Sequence, residues 1–310
     1  MSLRDGESTA PMTWRSLRSD AVRELSGAGI GPAEAEARFI VEQASGYDAT
    51  EWLDIADAEP SARAEHQLRE MVRRRASGEP LQYVLGGWAF RGLDLFVDRR
   101  VLIPRPETEY VVEVALDEAA RSGLRRSRRR LSLVETRPPA AALDLGTGSG
   151  AIAIAIAAEL PDVEVWATDV SEDALAVARA NVAGCAATRV RIAPAGEWFD
   201  PLPSALRGSL RLIVSNPPYI AEHEVADLPD EVAAYEPRRA LVSGPLGTEA
   251  IEHLLDLAPE WLAPGSSFVC EIAPHQADAM VAHARTAGFA DVLVRDDLTG
   301  RPRVLVARTE

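Results

Sequence analysis

Residues 141–150 read Ala141-Ala142-Leu143-Asp144-Leu145-Gly146-Thr147-Gly148-Ser149-Gly150. A short, mostly apolar run stops in a turn with glycine at every second position, and the apolar stretch Ala151 to Ala158 follows at once. A strand punctuated by glycine and feeding a longer helical segment opens a βα unit. The glycines permit a tight turn and let a ligand approach the backbone. The helix that follows adds the positive end of its dipole at the same place.

The pattern repeats outward from this stretch. Strands are predicted at Ala141–Leu145, Val163–Thr168, Arg189–Ala193, Leu212–Ser215 and Ser267–Ile272. Helices are predicted at Gly150–Leu160, Asp173–Ala183, Thr248–Leu262 and Gln276–Ala287. Asp291–Arg295 and Arg303–Ala307 read as a closing hairpin-like pair. Alternation of this kind predicts an α/β fold with a doubly wound, mostly parallel sheet, here of seven strands.

Before the sheet the period is helical. Residues 1–12 read as a disordered tail, 13–78 as a small helical bundle, 79–101 as a β-hairpin linker and 102–310 as the sheet domain. In the bundle, Pro32 suits the first helical position, and that helix ends near Gly46. A second helix runs from Ser61 to Gly78. Tyr83, Leu85, Phe90, Leu93, Leu95 and Val97, broken by Gly86-Gly87, read as short strands. A helix is expected from Glu107 through Val111, Val112 and Leu116. Residues 122–139, rich in Arg, Ser and Pro, read as a loop insertion, and the six arginines of 121–130 as a solvated basic loop or a phosphate or partner contact.

Composition narrows the function classes. The chain has 310 residues, 47% hydrophobic and 26% charged, ordinary for a globular protein able to bury its own core. A net charge of −15 disfavours non-specific nucleic-acid binding. Cys185 and Cys270 form no metal or redox motif, residues 1–12 lack a signal-peptide core, and no apolar run approaches the ~18 residues of a membrane span. These features fit a cytoplasmic protein. The five histidines show no metal-ligand spacing.

Asp169 ends the second predicted strand, 19 residues after Gly150. An acid there can accept both hydroxyls of a ribose. A nicotinamide dinucleotide normally calls for G-x-G-x-x-G, whereas the spacing here is G-x-G-x-G with Asp144 ahead of it. A carboxylate repels a pyrophosphate but tolerates the positive amino acid end of S-adenosylmethionine. Gly146, Thr147, Gly148, Ser149, Gly150 and Asp169 are therefore read as a site for S-adenosylmethionine, with a dinucleotide or a purely structural loop as alternatives. Trp198 is the candidate to lie against adenine; an ordinary core tryptophan is the other reading.

Asn216-Pro217-Pro218-Tyr219 closes the apolar run Leu212 to Ser215. Two prolines stiffen the turn and remove two donors. What remains is a rigid group of acceptors at a sheet edge, suited to a planar NH2 group.

Taken together, these stretches resemble the class I methyltransferases, and more narrowly the protein-glutamine N5-methyltransferases that modify peptide chain release factors. The resemblance is carried by Gly78 to Tyr83, Leu102-Ile103-Pro104-Arg105-Pro106-Glu107-Thr108-Glu109, Asp144 to Gly150, Asn216 to Ile220, Glu236 to Leu241 and Glu271 to Gln276. It implies that Asn216, Pro217, Pro218 and Tyr219 hold a substrate glutamine, with Asn216, Pro217 and Tyr219 catalytic and Asn216 also bordering the cofactor. It implies a substrate-docking role for the N-terminal bundle and class 1 release factors as partners. No direct nucleic-acid or membrane partner is expected, and a monomer is the default. Arg105 and Thr108 are expected to border the cofactor's methionine end or the substrate loop, or to form a hinge. Glu236 and Arg238 are expected to order a loop over the site. Arg211, Pro194, Pro274 and the 122–139 insertion depart from the family pattern. Three other functions stay open: an adenine N6-methyltransferase on DNA or RNA, which would use the same Asn-Pro-Pro-Tyr geometry on a flipped base, a paralogue methylating another protein, and a non-catalytic binding protein that kept the fold.

Overall fold

The computed structural model describes residues 12–124 and 140–310. The expected tail, but for Met12, and nearly all of the 122–139 insertion lie outside the described residues. Backbone contacts divide the chain after Gly86 into two compact units.

The first unit is helical: α1 (Trp14–Gly27), α2 (Ala33–Ser45), α3 (Trp52–Ile55), α4 (Ala62–Ala76) and α5 (Leu81–Leu85). Local signals set the ends. A capping box of Thr13 and Ser16 starts α1, the Ser61 hydroxyl accepts from the Ala64 N–H at 3.2 Å to start α4, and Gly46 at φ 76° stops α2. Pro32 sits at the N-cap of α2, one position earlier than expected. Leu17, Leu25, Ile40 and Leu68 are fully buried between the helices, each stabilising the unit by about 1.5–3 kcal/mol. One ion pair is buried with them: Arg75 donates to both oxygens of Glu36, at 2.6 and 3.2 Å.

The expected strand character of Tyr83 and Leu85 is corrected. Residues 81–85 form α5, which Pro80 enters and Gly86 stops in the left-handed region at φ 73°. Leu81 and Val84, three apart, point together into the helical core. The helix is too short for its period to stand out against strand alternation. The hairpin itself is β1 (Trp88–Phe90) with β2 (Leu93–Leu95).

The second unit continues with α6 (Pro106–Arg121), β3 (Ala141–Leu145), α7 (Ala151–Glu159), β4 (Glu164–Thr168), α8 (Glu172–Gly184), β5 (Val190–Ile192) and β6 (Leu210–Ser215). An elaborate crossover follows, holding β7 (Ile220–Ala221), α9 (Asp230–Tyr235), α10 (Arg238–Leu241), β8 (Val242–Gly244) and α11 (Glu249–Trp261). Then come β9 (Leu262–Glu271), α12 (Ala277–Thr286), β10 (Asp291–Asp296) and β11 (Pro302–Arg308). The main sheet has seven strands in the order β10-β11-β9-β6-β3-β4-β5. Pairing is parallel from β9 through β5 and antiparallel at β10 and β11.

Each face of the sheet has its own core. Ala142, Leu212, Val214, Val269, Val304 and Val306 face the cluster built on α6 and α7. Leu143, Ile213, Phe268, Cys270 and Leu305 face the cluster built on α11 and α12. Successive strand residues alternate between the two, as the pleat requires. Helix α7 is buried from Ala151 through Ala157, which explains a sequence apolar all round. Among the described residues no helix is long and apolar enough to cross a membrane.

Candidate active site

From β3 the chain steps to β4 and β5 on one side, then returns to β6 and β9 on the other. The order reverses between β3 and β6, and beyond the carboxyl ends of strands at such a point a crevice opens. Three loops lead into it: the glycine loop after β3, Asp169 after β4 and Asn216 after β6.

Gly146, Gly148 and Gly150 all adopt positive φ, at 71°, 53° and 84°. A Cβ on Gly146 would stand 3.5 Å from the Trp198 ring, in the space between loop and indole. The Asp169 carboxylate braces the loop. One oxygen accepts from the Gly148 N–H at 2.9 Å and the other from the Ser171 N–H at 2.8 Å. A carboxylate has about four lone-pair sites, so each oxygen keeps capacity for a further donor. Burial pushes the Asp169 carboxyl above its ordinary range, against the backbone donors and the nearby Arg239 cation.

A cavity of ≈ 270 Å³ occupies this crevice, lined by Gly146, Gly148, Asp169, Trp198, Asn216 and Arg239 among others. Next to it a smaller cavity of ≈ 170 Å³ is lined by Leu102, Arg105, Asn216, Tyr219, Val232 and Leu241 among others. Leu102, Asn216 and Ala240 border both. The crevice thus has two chambers that meet at Asn216.

The predicted residues divide accordingly. Gly146, Gly148, Asp169, Trp198, Asn216 and Pro218 line the larger chamber, and Asn216 and Tyr219 the smaller. Thr147, Ser149, Gly150 and Pro217 are not in either lining. Thr147 is buried, with its hydroxyl donating to Asp144 at 2.6 Å. The Ser149 carbonyl accepts from the Asn181 side chain at 2.8 Å, and Gly150 caps α7. Pro217 is buried in the turn.

The expected role of Asp144 is corrected. Its side chain is fully buried and turned toward α7, where one oxygen accepts from the Thr147 hydroxyl and, at 3.1 Å, from the Ala153 N–H. Burial pushes its carboxyl up to about 7. Asp144 braces the first turn of α7 and does not line the cavity.

Behind Asn216 lies a set of contacts that spacing did not reveal. Ser215 pairs with Cys270 across β6 and β9, so the next residues, Asn216 and Glu271, emerge side by side. The Asn216 amide NH2 donates to the Thr108 hydroxyl at 3.1 Å, and that hydroxyl donates to Glu271 at 2.8 Å. The Tyr219 hydroxyl donates to the other Glu271 oxygen at 3.3 Å. Burial, with Glu271 alongside, holds the Tyr219 phenol well above its ordinary range. The Tyr219 carbonyl accepts from the Gln276 amide at 2.9 Å, and Gln276 also donates to the Gly247 carbonyl at 3.0 Å. On the cavity wall, Arg105 makes an ion pair with Glu236. Arg100 and Arg239, both in the larger lining, are cations that sequence reading did not single out: Arg100 stands outside the quoted motifs, and Arg239 lies within the Glu236 to Leu241 stretch, where only Glu236 and Arg238 were given a role.

A glycine loop at the switch point of this sheet, an acid closing the next strand and an Asn-Pro-Pro-Tyr turn beside them define a class I methyltransferase. Comparison with known proteins agrees. Residues 16–86 match the family model described as PrmC N-terminal domain, and residues 127–242 the methyltransferase small domain. The release factor glutamine methyltransferase of Deinococcus radiodurans is 36% identical over 297 residues, covering 96% of this chain and 99% of that protein. The protein of the same name from Bordetella pertussis is 40% identical over 275 residues, covering 88% and 94%. The fold also resembles the catalytic domain of hMettl16, solved with MAT2A 3'UTR hairpin 1, with TM-score 0.52 and 14% identity over 87% of this chain and 90% of that one. The chain belongs to the release factor glutamine methyltransferase family.

Proposed function

We propose that this protein transfers a methyl group from S-adenosylmethionine to the side-chain N5 of a glutamine, and that its substrate is the Gly-Gly-Gln loop of class 1 peptide chain release factors in the cytoplasm. The observation that carries this reading is the pair of chambers meeting at Asn216. The larger suits a nucleoside-bearing donor, and the smaller, at ≈ 170 Å³, suits a side chain.

The residues present fit the cofactor. Gly146 and Gly148 add no side chain to the cavity wall they form, Asp169 keeps lone pairs for ribose hydroxyls, and Trp198 offers a flat face for adenine. When bound, S-adenosylmethionine supplies an electrophilic methyl group on a sulfonium.

The rest falls to the chain. An amide nitrogen is a poor nucleophile because its lone pair is delocalised. The Asn216 side-chain oxygen, on the wall of both chambers, is suited to accept one hydrogen of the substrate amide, orienting its NH2 and favouring positive charge that develops on nitrogen, while Pro217, outside both linings, stiffens the turn that presents Asn216. Tyr219, on the wall of the smaller chamber, helps exclude water. No base is needed before transfer, since the proton leaves afterwards.

The test is direct. Purified protein, S-adenosylmethionine and a release factor should yield a release factor heavier by one methyl group, located by peptide mass spectrometry at the Gly-Gly-Gln glutamine. Methylation of adenine in DNA or RNA, with the release factor untouched, would overturn the proposal.

A further inference from the structure

We propose that Glu271 and Thr108 form a positioning relay that decides which end of the Asn216 side-chain amide faces the acceptor chamber. The relay rests on the function proposed above for its purpose, but not for its existence.

A threonine hydroxyl has a single hydrogen. Thr108 spends it on Glu271, so toward Asn216 it can only accept. That selects the NH2 end of the Asn216 amide for Thr108 and leaves the oxygen end for the chamber. Glu271 accepts from both Thr108 and Tyr219, one hydroxyl on each oxygen, the arrangement that suits an ionised carboxylate, which has acceptors alone. All the atoms joining Thr108 to Glu271 are buried, where water cannot substitute for a missing partner.

Protonation of Glu271 inverts this order. A neutral carboxyl can donate to Thr108, which frees the threonine hydrogen to point at Asn216. The asparagine then turns its oxygen toward Thr108 and its NH2 toward the chamber, where it meets the substrate NH2 donor to donor. The groups acting on Glu271 come from three elements. Burial raises its carboxyl to about 6, Thr108, Arg303 of β11 and Tyr219 of the loop after β6 pull it down, and Glu107 of α6 pushes it up.

Three measurements test the relay. Thr108→Val, which removes the hydroxyl at constant shape, should lower kcat about tenfold with binding of S-adenosylmethionine unchanged, and Thr108→Ser should restore it. In the wild type kcat should fall as pH drops through about 6, and Glu271→Gln should abolish that acidic limb. In the substrate-free protein, the Asn216 side-chain amide resonances, assigned by their loss in Asn216→Asp, should titrate over the same range and cease to do so in Thr108→Val. This last measurement needs no methyl acceptor, so it separates failure of the relay from failure of the proposed function. Full activity in Thr108→Val, an acidic limb that survives Glu271→Gln, or amide resonances indifferent to pH would each overturn the relay.

Discussion

At the scale of single residues, the site is built on atoms that have few alternatives. Asn216 is shared by both chambers and held from behind by Thr108. Asn216→Ala should reduce methyl transfer by about two orders of magnitude or more, the worth of one acceptor aimed at developing charge. Calorimetry should find S-adenosylmethionine binding nearly unchanged, and near wild-type turnover would remove Asn216 from the mechanism. Gly247 is as constrained by space. It sits at φ 80°, and a Cβ there would meet the Tyr219 carbonyl at 2.8 Å and the Ala221 N–H at 2.9 Å. Gly247→Ala should push the Asn-Pro-Pro-Tyr turn away from Gln276, lowering both turnover and the melting temperature. Motif reading proposed Asn216, Asp169 and Trp198, and all three line the larger chamber; for Asn216 and Asp169 the signal was a strand end followed by turn residues, which is local information. It placed the Asp144 carboxylate beside the ligand, although the pleat held the answer: Asp144 shares a strand face with Ala142, which faces the α6–α7 core. The same alternation would have put Glu271 on the face of Val269, toward the helix that carries Thr108.

At the scale of elements, two ion pairs differ in what they hold. Arg105, just before α6, pairs with Glu236, between α9 and α10, and both segments wall the smaller chamber. Burial raises the Glu236 carboxyl and Arg105 opposes this. Arg105→Ala should loosen the crossover segment over the chamber, raising KM for the methyl acceptor several-fold while KM for S-adenosylmethionine moves little; equal effects on both would place the pair elsewhere in the cycle. In the helical unit, Glu36 and Arg75 join α2 to α4 inside the core, with side chains 10% and 8% exposed. Glu36→Ala removes the carboxylate from a buried guanidinium and should cost about 3–5 kcal/mol, read as earlier unfolding in urea. The helices themselves were legible from caps and periodicity. Short α5 was not, nor were α9 and α10 in the crossover, where proline-rich sequence hides single turns between irregular links.

At the scale of the whole molecule, the sheet concentrates buried carboxyls at its carboxyl edge. Burial raises Asp144 to about 7 and Glu271 to about 6. Both folded values lie above those of the unfolded chain, near 4. Stability from these groups is therefore fully present below about pH 4 and is lost as pH rises through about 6 to 7. Activity through the Glu271 relay runs the opposite way. Asp144→Asn should flatten the decline in melting temperature between about pH 4 and 7; an unchanged slope would show that Asp144 is not its source. The fold accepts that cost to brace α7 and to keep an ionised acceptor behind Asn216.

By itself the sequence determined the alternation of strands and helices, the seven-strand parallel-rich sheet, the glycine loop with Asp169 and the Asn-Pro-Pro-Tyr turn, because each is written in neighbouring residues with a fixed period or spacing. Only the tertiary structure decided which strands lie side by side, and so brought Thr108, Asn216 and Glu271 together from positions up to 163 residues apart. Hydrogen-bond polarity is a property of such a meeting. No residue type or spacing encodes it until strand register and helix packing bring the donors and acceptors together.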